Sequence, residues 1–226
     1  RMITYARNLF EKQADGIIFA SDSLHRELYD ELKRSRLPFV LVSTDAPEYD
    51  APSVDIDNEQ AACEAVRHLI ELGHREIGMI GFPVGNTISG APRLAGFRRA
   101  LAEAGLDHCA SHVEFAAHRF EDACEAAGRL FARAPQITAV FAASDEFAMG
   151  VIAYARDHGR SVPDQLSVVG FDDIRMARMF IPRLTTVEQP VYQIGVRAVH
   201  KLHELMVNGE VSVLHERLPH RLIVRE

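Results

Sequence analysis

Short, nearly continuous apolar runs recur along this chain, separated by longer stretches in which apolar residues return every three or four positions. The runs are Gly16-Ile17-Ile18-Phe19-Ala20, Phe39-Val40-Leu41-Val42, Glu76-Ile77-Gly78-Met79-Ile80-Gly81, Ala139-Val140-Phe141-Ala142 and Ser167-Val168-Val169-Gly170-Phe171. A strand with one wet face alternates apolar and polar residues; runs without alternation suit strands covered on both faces, as in parallel sheets. The stretches between them read as amphipathic helices. Segment 59–72 carries Ala62, Val66, Leu69 and Ile70 on one stripe, Asp57 and Gln60 resemble a capping box, and Gly73 supplies the stop. Segment 91–104 carries Leu94, Phe97, Leu101 and Ala104 before Gly105, and 145–158 carries Ala148, Val151, Ile152 and Ala155 before Gly159. A further helix over 190–207 opens with Pro190 in the favoured first turn and shows Val191, Ile194, Ala198, Leu202 and Leu205 on one face.

Strand and helix in alternation predict an α/β architecture of doubly wound parallel sheets. A last strand is predicted at Leu222-Ile223-Val224, after the lone late helix. One open sheet could hold this order, and two lobes joined by crossovers fit it better.

Composition narrows the function. Of the 226 residues 47% are hydrophobic and 25% charged, ordinary for a globular protein with room for a core. The formal net charge is −7, which repels phosphate backbones, so this stretch is not expected to grip nucleic acid itself. No run approaches the roughly eighteen apolar residues of a membrane span. Cys63, Cys109 and Cys124 are three, without metal-ligand spacing, and fit reduced thiols in a cytoplasmic setting.

Ligands of open parallel sheets bind beyond the carboxyl ends of the strands, so the residues delivered there are the candidates. The runs end in Ser21-Asp22, in Ser43-Thr44-Asp45, in Ala143-Ser144-Asp145 and in Asp172-Asp173, while the loop from Phe82 to Gly90 leads to Arg93 at a helix start. Carboxylates, hydroxyls and a guanidinium suit bidentate bonds to vicinal hydroxyl groups, and an aromatic face can cover the apolar side of a sugar ring. The same residues can also cap the elements that follow them. Asp145 and Asp173 are read as structural, and Arg93, Ser144 and Asp172 as facing a ligand.

These residues also resemble a known family in ordered pieces. Ala14-Asp15-Gly16-Ile17-Ile18-Phe19-Ala20-Ser21 resembles the "VDGII" strand of lactose-repressor/galactose-repressor type transcription regulators, and His68-Leu69-Ile70-Glu71-Leu72-Gly73-His74-Arg75-Glu76-Ile77 their "L…GHR.I". Arg93 to Leu101 is similar to "R..GF..AL", Ser144 to Gly150 to "ND..A.G", Val162 to Asp173 to "VP.D.SVVGFDD", and Pro182 to Pro190 to "P.LTTV.QP". The set runs nearly end to end in the family's order. Ser144 departs from the usual Asn, Ser43 from the Asp of some members, and Gln165 from the usual Asp of a turn.

The resemblance implies a periplasmic-binding-protein-like fold of two lobes: an incomplete amino-terminal lobe, 1–57 and 190–212, and a carboxyl-terminal lobe, 58–189 and 213–226. It implies that Arg93, Ser144 and Asp172 contact an effector in the cleft between lobes, with Phe120 as a stacking or lid aromatic and Asp22, Ser43 and Gln189 as further contacts. It implies a homodimer, for which segments 23–35 and 59–72 are candidates, and operator DNA read by an upstream helix-turn-helix. The chain would begin inside the second helix of its lobe, around Met2–Gln13, within a longer protein. The expected effector is a sugar or sugar derivative, with no cofactor and no membrane partner.

Three other readings compete. His108, Cys109 and His112, or His200 and His203, lack the four ligands of a zinc site. An enzyme would need a nucleophile elbow or a phosphate-cradling glycine loop, and neither motif occurs. A secreted sugar-binding protein feeding a transporter shares the fold; a signal peptide would favour it and a helix-turn-helix the regulator.

The charge generates a first prediction. Residues 1–226 alone should show no sequence-selective retardation of duplex DNA at physiological salt, since phosphate attraction supplies most non-specific affinity. Tight, selective retardation by this stretch would contradict the reading.

Overall fold

The computed structural model describes all residues except 1–3, 6, 7, 9–11, 13, 22, 23, 45–48, 87, 107–109, 118 and 226. The described elements, in chain order, are β1 (Ile17–Ala20), α1 (Arg26–Ser35), β2 (Phe39–Val42), β3 (Ser53–Ile56), α2 (Asn58–Glu71), β4 (Ile77–Gly81) and α3 (Gly90–Glu103). They continue with β5 (Val113–Phe115), α4 (Phe120–Arg133), β6 (Ala139–Ala142), α5 (Asp145–Asp157), β7 (Ser167–Asp172), β8 (Thr185–Glu188), α6 (Val191–Asn208), β9 (His215–Leu218) and β10 (Arg221–Ile223). Contacts divide the chain into two units, Arg1–Ile56 with Pro190–Pro219, and Asp57–Gln189 with His220–Glu226.

The smaller unit is built on a parallel sheet in the order β1-β2-β3-β9. Leu28 and Leu32 of α1 pack with Ile17, Phe39 and Leu41 of the sheet, and Ile194 and Ala198 bury one stripe of α6. The pairing of β9 with β3 corrects one boundary. Residues 213–219, expected in the larger lobe, belong to the smaller one, because His215–Leu218 hydrogen-bonds along Ser53–Ile56 in parallel register. The polar alternation of His215-Glu216-Arg217-Leu218 gave no strand signal, since an edge strand with one wet face needs few apolar residues. Lys201, buried on α6, donates to the Val213 carbonyl and faces Glu216 at 3.5 Å, holding the approach to this strand.

The larger unit carries six strands in the order β10-β8-β7-β6-β4-β5, all parallel but β10. Every residue of β4 and β6 is buried, so both faces of these strands are covered, as their unalternating apolar runs require. Asp57 caps α2 by accepting from the Gln60 N–H at 2.9 Å. Only that half of the expected capping box forms: the Gln60 side chain donates to Glu64 and accepts from Arg99 instead.

Two motif residues turn out to be packing devices. A Cβ at Gly96 would strike the Glu59 carbonyl, so glycine is what lets α3 lie against α2. His74 places Nδ1 2.9 Å from Thr138 Oγ1 and Nε2 2.9 Å from Ser167 Oγ, strapping the amino ends of β6 and β7 together. Burial holds its pKa below the usual histidine value.

A substitution tests the close approach. Gly96→Ala should lower stability by about 1–3 kcal/mol, the usual scale for overpacking, read from urea unfolding. An unchanged midpoint would show that α2 and α3 have room to part.

Candidate functional site

The carboxyl ends of β6, β7 and β8 meet the first turns of α2, α3 and α5 around one buried guanidinium. Arg93, on the first turn of α3, is 4% exposed. Its Nε donates to Asn58 Oδ1 at 3.0 Å and its Nη1 to the Ala143 carbonyl at 2.6 Å. The Arg93 plane lies over the Phe171 ring, 3.5 Å from guanidinium carbon to ring centre, and Nη1 stands 3.6 Å from Asp172 Oδ1. A cation desolvated this far needs directed acceptors and a polarisable face, and receives both. The loop before α3 is held by Asn86, whose Oδ1 accepts from the N–H groups of Ile88, Ser89 and Gly90.

Asp172 ends β7 and accepts from Gln189 Nε2 at 2.6 Å. Burial pushes its pKa above the ordinary carboxylate value, against the opposing pull of Arg93 and of the Gln189 hydrogen bond. Its backbone is in the left-handed half of conformational space, φ 117°, and Asp173 follows at φ 49°. Such conformations persist where surrounding bonds over-determine them. Asp173 supplies some of those bonds, accepting from Arg225 at 2.6 Å and Arg178 at 2.8 Å. Asp145 supplies others. Fully buried at the start of α5, it accepts from the Ile174 N–H at 2.8 Å and lies 2.5 Å from Thr186 Oγ1. Burial raises the Asp145 pKa to about 7, against the lowering effect of those two hydrogen bonds, and Asp172 and Asp173 add to the rise.

Arg93, Asp172 and Gln189 of the expected site residues thus form one group. Ser144 adjoins it through its neighbour Ala143, but its hydroxyl is the cap of α5, accepting from the Phe147 N–H at 3.2 Å. Phe120 opens α4, half-buried, with its N–H donating to Glu146; no contact among the described ones joins it to Arg93 or Asp172. Ser43 belongs to the smaller unit, exposed at φ 48° with its N–H bonded to the Val54 carbonyl. Asp22 lies outside the described residues, as do Asp45, His108, Cys109 and most of 2–13. Among the described residues no group of three or more His, Cys, Asp or Glu could hold a metal ion. Two members escaped the sequence reading. Asn58 stands just past a helix cap, where a polar residue reads as surface, and Phe171 reads as core from its strand period.

Comparison with known proteins agrees with this architecture. A family described as "Periplasmic binding protein-like domain" matches residues 66–226. Catabolite control protein A of Priestia megaterium is 38% identical over 219 residues, which are 97% of this chain and 66% of that protein. The HTH-type transcriptional regulator RegA of Clostridium saccharobutylicum is 34% identical over 222 residues, 98% of this chain and 67% of that protein. The chain therefore spans about two thirds of the length of these relatives. Among solved structures, a transcriptional regulator CelR–cellobiose complex superposes with a TM-score of 0.91 at 32% identity, covering 100% of this chain and 69% of that one.

The buried Asp145 generates a pH prediction. A carboxyl whose folded pKa lies above its unfolded value adds stability that is full below the unfolded pKa and is lost as pH rises through the folded one. Between pH about 4 and about 7, then, Asp145 should make the fold less stable with rising pH. Urea unfolding at pH 5, 6 and 8 should show that slope, and Asp145→Asn should remove its share. A parent and variant with the same pH slope would contradict it.

Proposed function

The chain belongs to the periplasmic-binding-protein-like family of lactose-repressor-type transcription regulators, and from that premise we propose that it is the effector-sensing part of such a regulator. The observation that carries the reading is the Arg93 group. A stacked guanidinium, a carboxylate and an amide at strand ends offer donors and acceptors to a polyhydroxylated molecule. We read the effector as a sugar or sugar derivative, held in the larger unit by Arg93, Asp172 and Gln189. Ser144 remains a contact in this reading, since a capping hydroxyl keeps its own proton to donate. Phe120, Ser43 and Asp22 stay as outer contacts whose support is the family resemblance. The match to a cellobiose-bound regulator supports the effector class.

Operator binding through a helix-turn-helix elsewhere in the protein, assembly as a homodimer, a cytoplasmic setting and the absence of catalysis complete the proposal. HTH-type regulators among the relatives support it over a transporter-feeding protein. No helix among the described residues is long and apolar enough to cross a membrane. For the dimer, segments 23–35 and 59–72 stay as candidates; in the second, Ala61, Ala62, Cys63, Ala65, Val66 and Leu69 are buried, which leaves the side with Leu72 to face a partner.

A thermal-shift screen of the complete protein against cellobiose, monosaccharides, sugar phosphates and purine nucleosides tests the class. Asp172→Asn should then weaken the effector found by about 30- to 150-fold in calorimetry, the scale of one lost charge-assisted bond. Arg93→Ala should weaken it similarly and also lower the melting temperature, because Arg93 ties Asn58 to the Ala143 carbonyl. Asp173→Ala should act mainly on melting temperature. Parent-like affinity in Asp172→Asn would sink the site assignment.

A further inference from the structure

We propose that Asp145 is the positioning residue of this site, its carboxyl anchoring the 172–174 turn that presents Asp172, so that its proton sets how firmly the site is held. The ligand half of this claim rests on the effector reading above; the structural half stands without it.

The geometry carries the claim. Asp145 comes from α5, Thr186 from β8, and Asp173 and Ile174 from the turn, and all converge on one fully buried carboxyl group. Oδ2 accepts from the Ile174 N–H, and Thr186 Oγ1, beside Oδ1, accepts from the Asp173 N–H at 3.4 Å. A Cβ at position 170 would collide with Oδ1, so glycine in β7 makes the space that this carboxyl fills. Asp172, with φ 117°, lies directly before the two tethered residues. Moving the tether moves the carboxylate that faces Arg93.

The two protonation states serve this tether unequally. In the ionised state a single relay is complete: the Asp173 N–H donates to Thr186, and the Thr186 hydroxyl donates to Asp145. In the neutral state the proton of Asp145 either sits on Oδ1 and turns the Thr186 hydrogen out of the relay, or sits on Oδ2 and weakens the acceptor of the Ile174 N–H. Hydrogen bonding therefore favours the charge, while burial and the nearby carboxylates of Asp172 and Asp173 oppose it. Those carboxylates are themselves faced by Arg93 and by Arg178 and Arg225. The contest is close enough to leave Asp145 titrating near neutrality. Ionisation costs global stability yet tightens the turn, so stability and site order should run in opposite directions with pH. A carboxyl with only a structural role would move both the same way.

The test uses the chain as it is. Carboxyl-labelled and amide NMR between pH 5 and 8 should show the Asp145 carboxyl, the Asp173 and Ile174 amides and the Asp172 carboxyl moving with one midpoint, the amides becoming more protected from exchange as pH rises. Asp145→Asn should freeze the shared movement. Thr186→Val should uncouple the Asp173 amide and Thr186→Ser should restore it, which covers the case of an unfolded Asp145 variant. In the complete protein, cellobiose should bind about five-fold tighter at pH 8 than at pH 6, the difference between charged and neutral tethers, and Thr186→Val should flatten this. Turn resonances that ignore the Asp145 midpoint, or protection that falls with stability as pH rises, would overturn the proposal. If cellobiose fails to bind at either pH, the effector reading loses that ligand, while the NMR series still decides on Asp145.

Discussion

A guanidinium taken out of water demands several acceptors in fixed places, and Arg93 imposes that demand on the larger unit. Its charge cannot be neutralised by proton loss, so the surroundings must supply the solvation that water would have given. Asn58 supplies an amide oxygen from the start of α2, Ala143 a carbonyl from the end of β6, and Phe171 and Asp172 a ring and a carboxylate from the end of β7. Three elements are thereby ordered around one side chain of a fourth, α3. Leaving any acceptor out would strand a buried charge, a far larger cost than a missing surface ion pair.

The second tier follows from the first. Asp172 faces Arg93 from a backbone in a left-handed conformation, and bonds of Gln189, Asp173 and Asp145 surround that turn. Three carboxyl groups in one small region would repel if all were treated alike. They are not. Asp173 is met by two arginines, Asp172 by one arginine and an amide, and Asp145 only by neutral donors. Burial raises Asp145 to about 7 and pushes Asp172 up as well, where Arg93 and the Gln189 hydrogen bond pull back, and such differences of company are how neighbouring acids acquire distinct roles.

Much of this was legible in the sequence, for physical reasons that particular residues display. Doubly covered strands announce themselves by unbroken apolar runs, so β4 and β6 stood out, whereas β9, with its exposed polar alternation, could be placed only by its pairing with β3. Arg93, Asp172 and Gln189 stand together in the structure, and strand ends and family motifs point to the same rim. Asn58 and Thr186 were missed, since a short polar side chain looks the same in sequence whether it faces water or a buried charge. Sequence also could not separate ligand contacts from scaffolding within a motif. Gly96 and His74 serve packing, and Ser144 spends its hydroxyl oxygen as a helix cap.

The buried Arg93 cluster is proposed as the place where the regulator meets its effector. Resolving the Nε–H and Nη–H resonances of Arg93 in the complete protein, while titrating the sugar that raises its melting temperature, addresses this directly. These resonances should shift and sharpen, saturating at the same concentration as the calorimetric binding curve. Saturated binding with the Arg93 resonances unmoved would place the effector elsewhere and contradict this assignment.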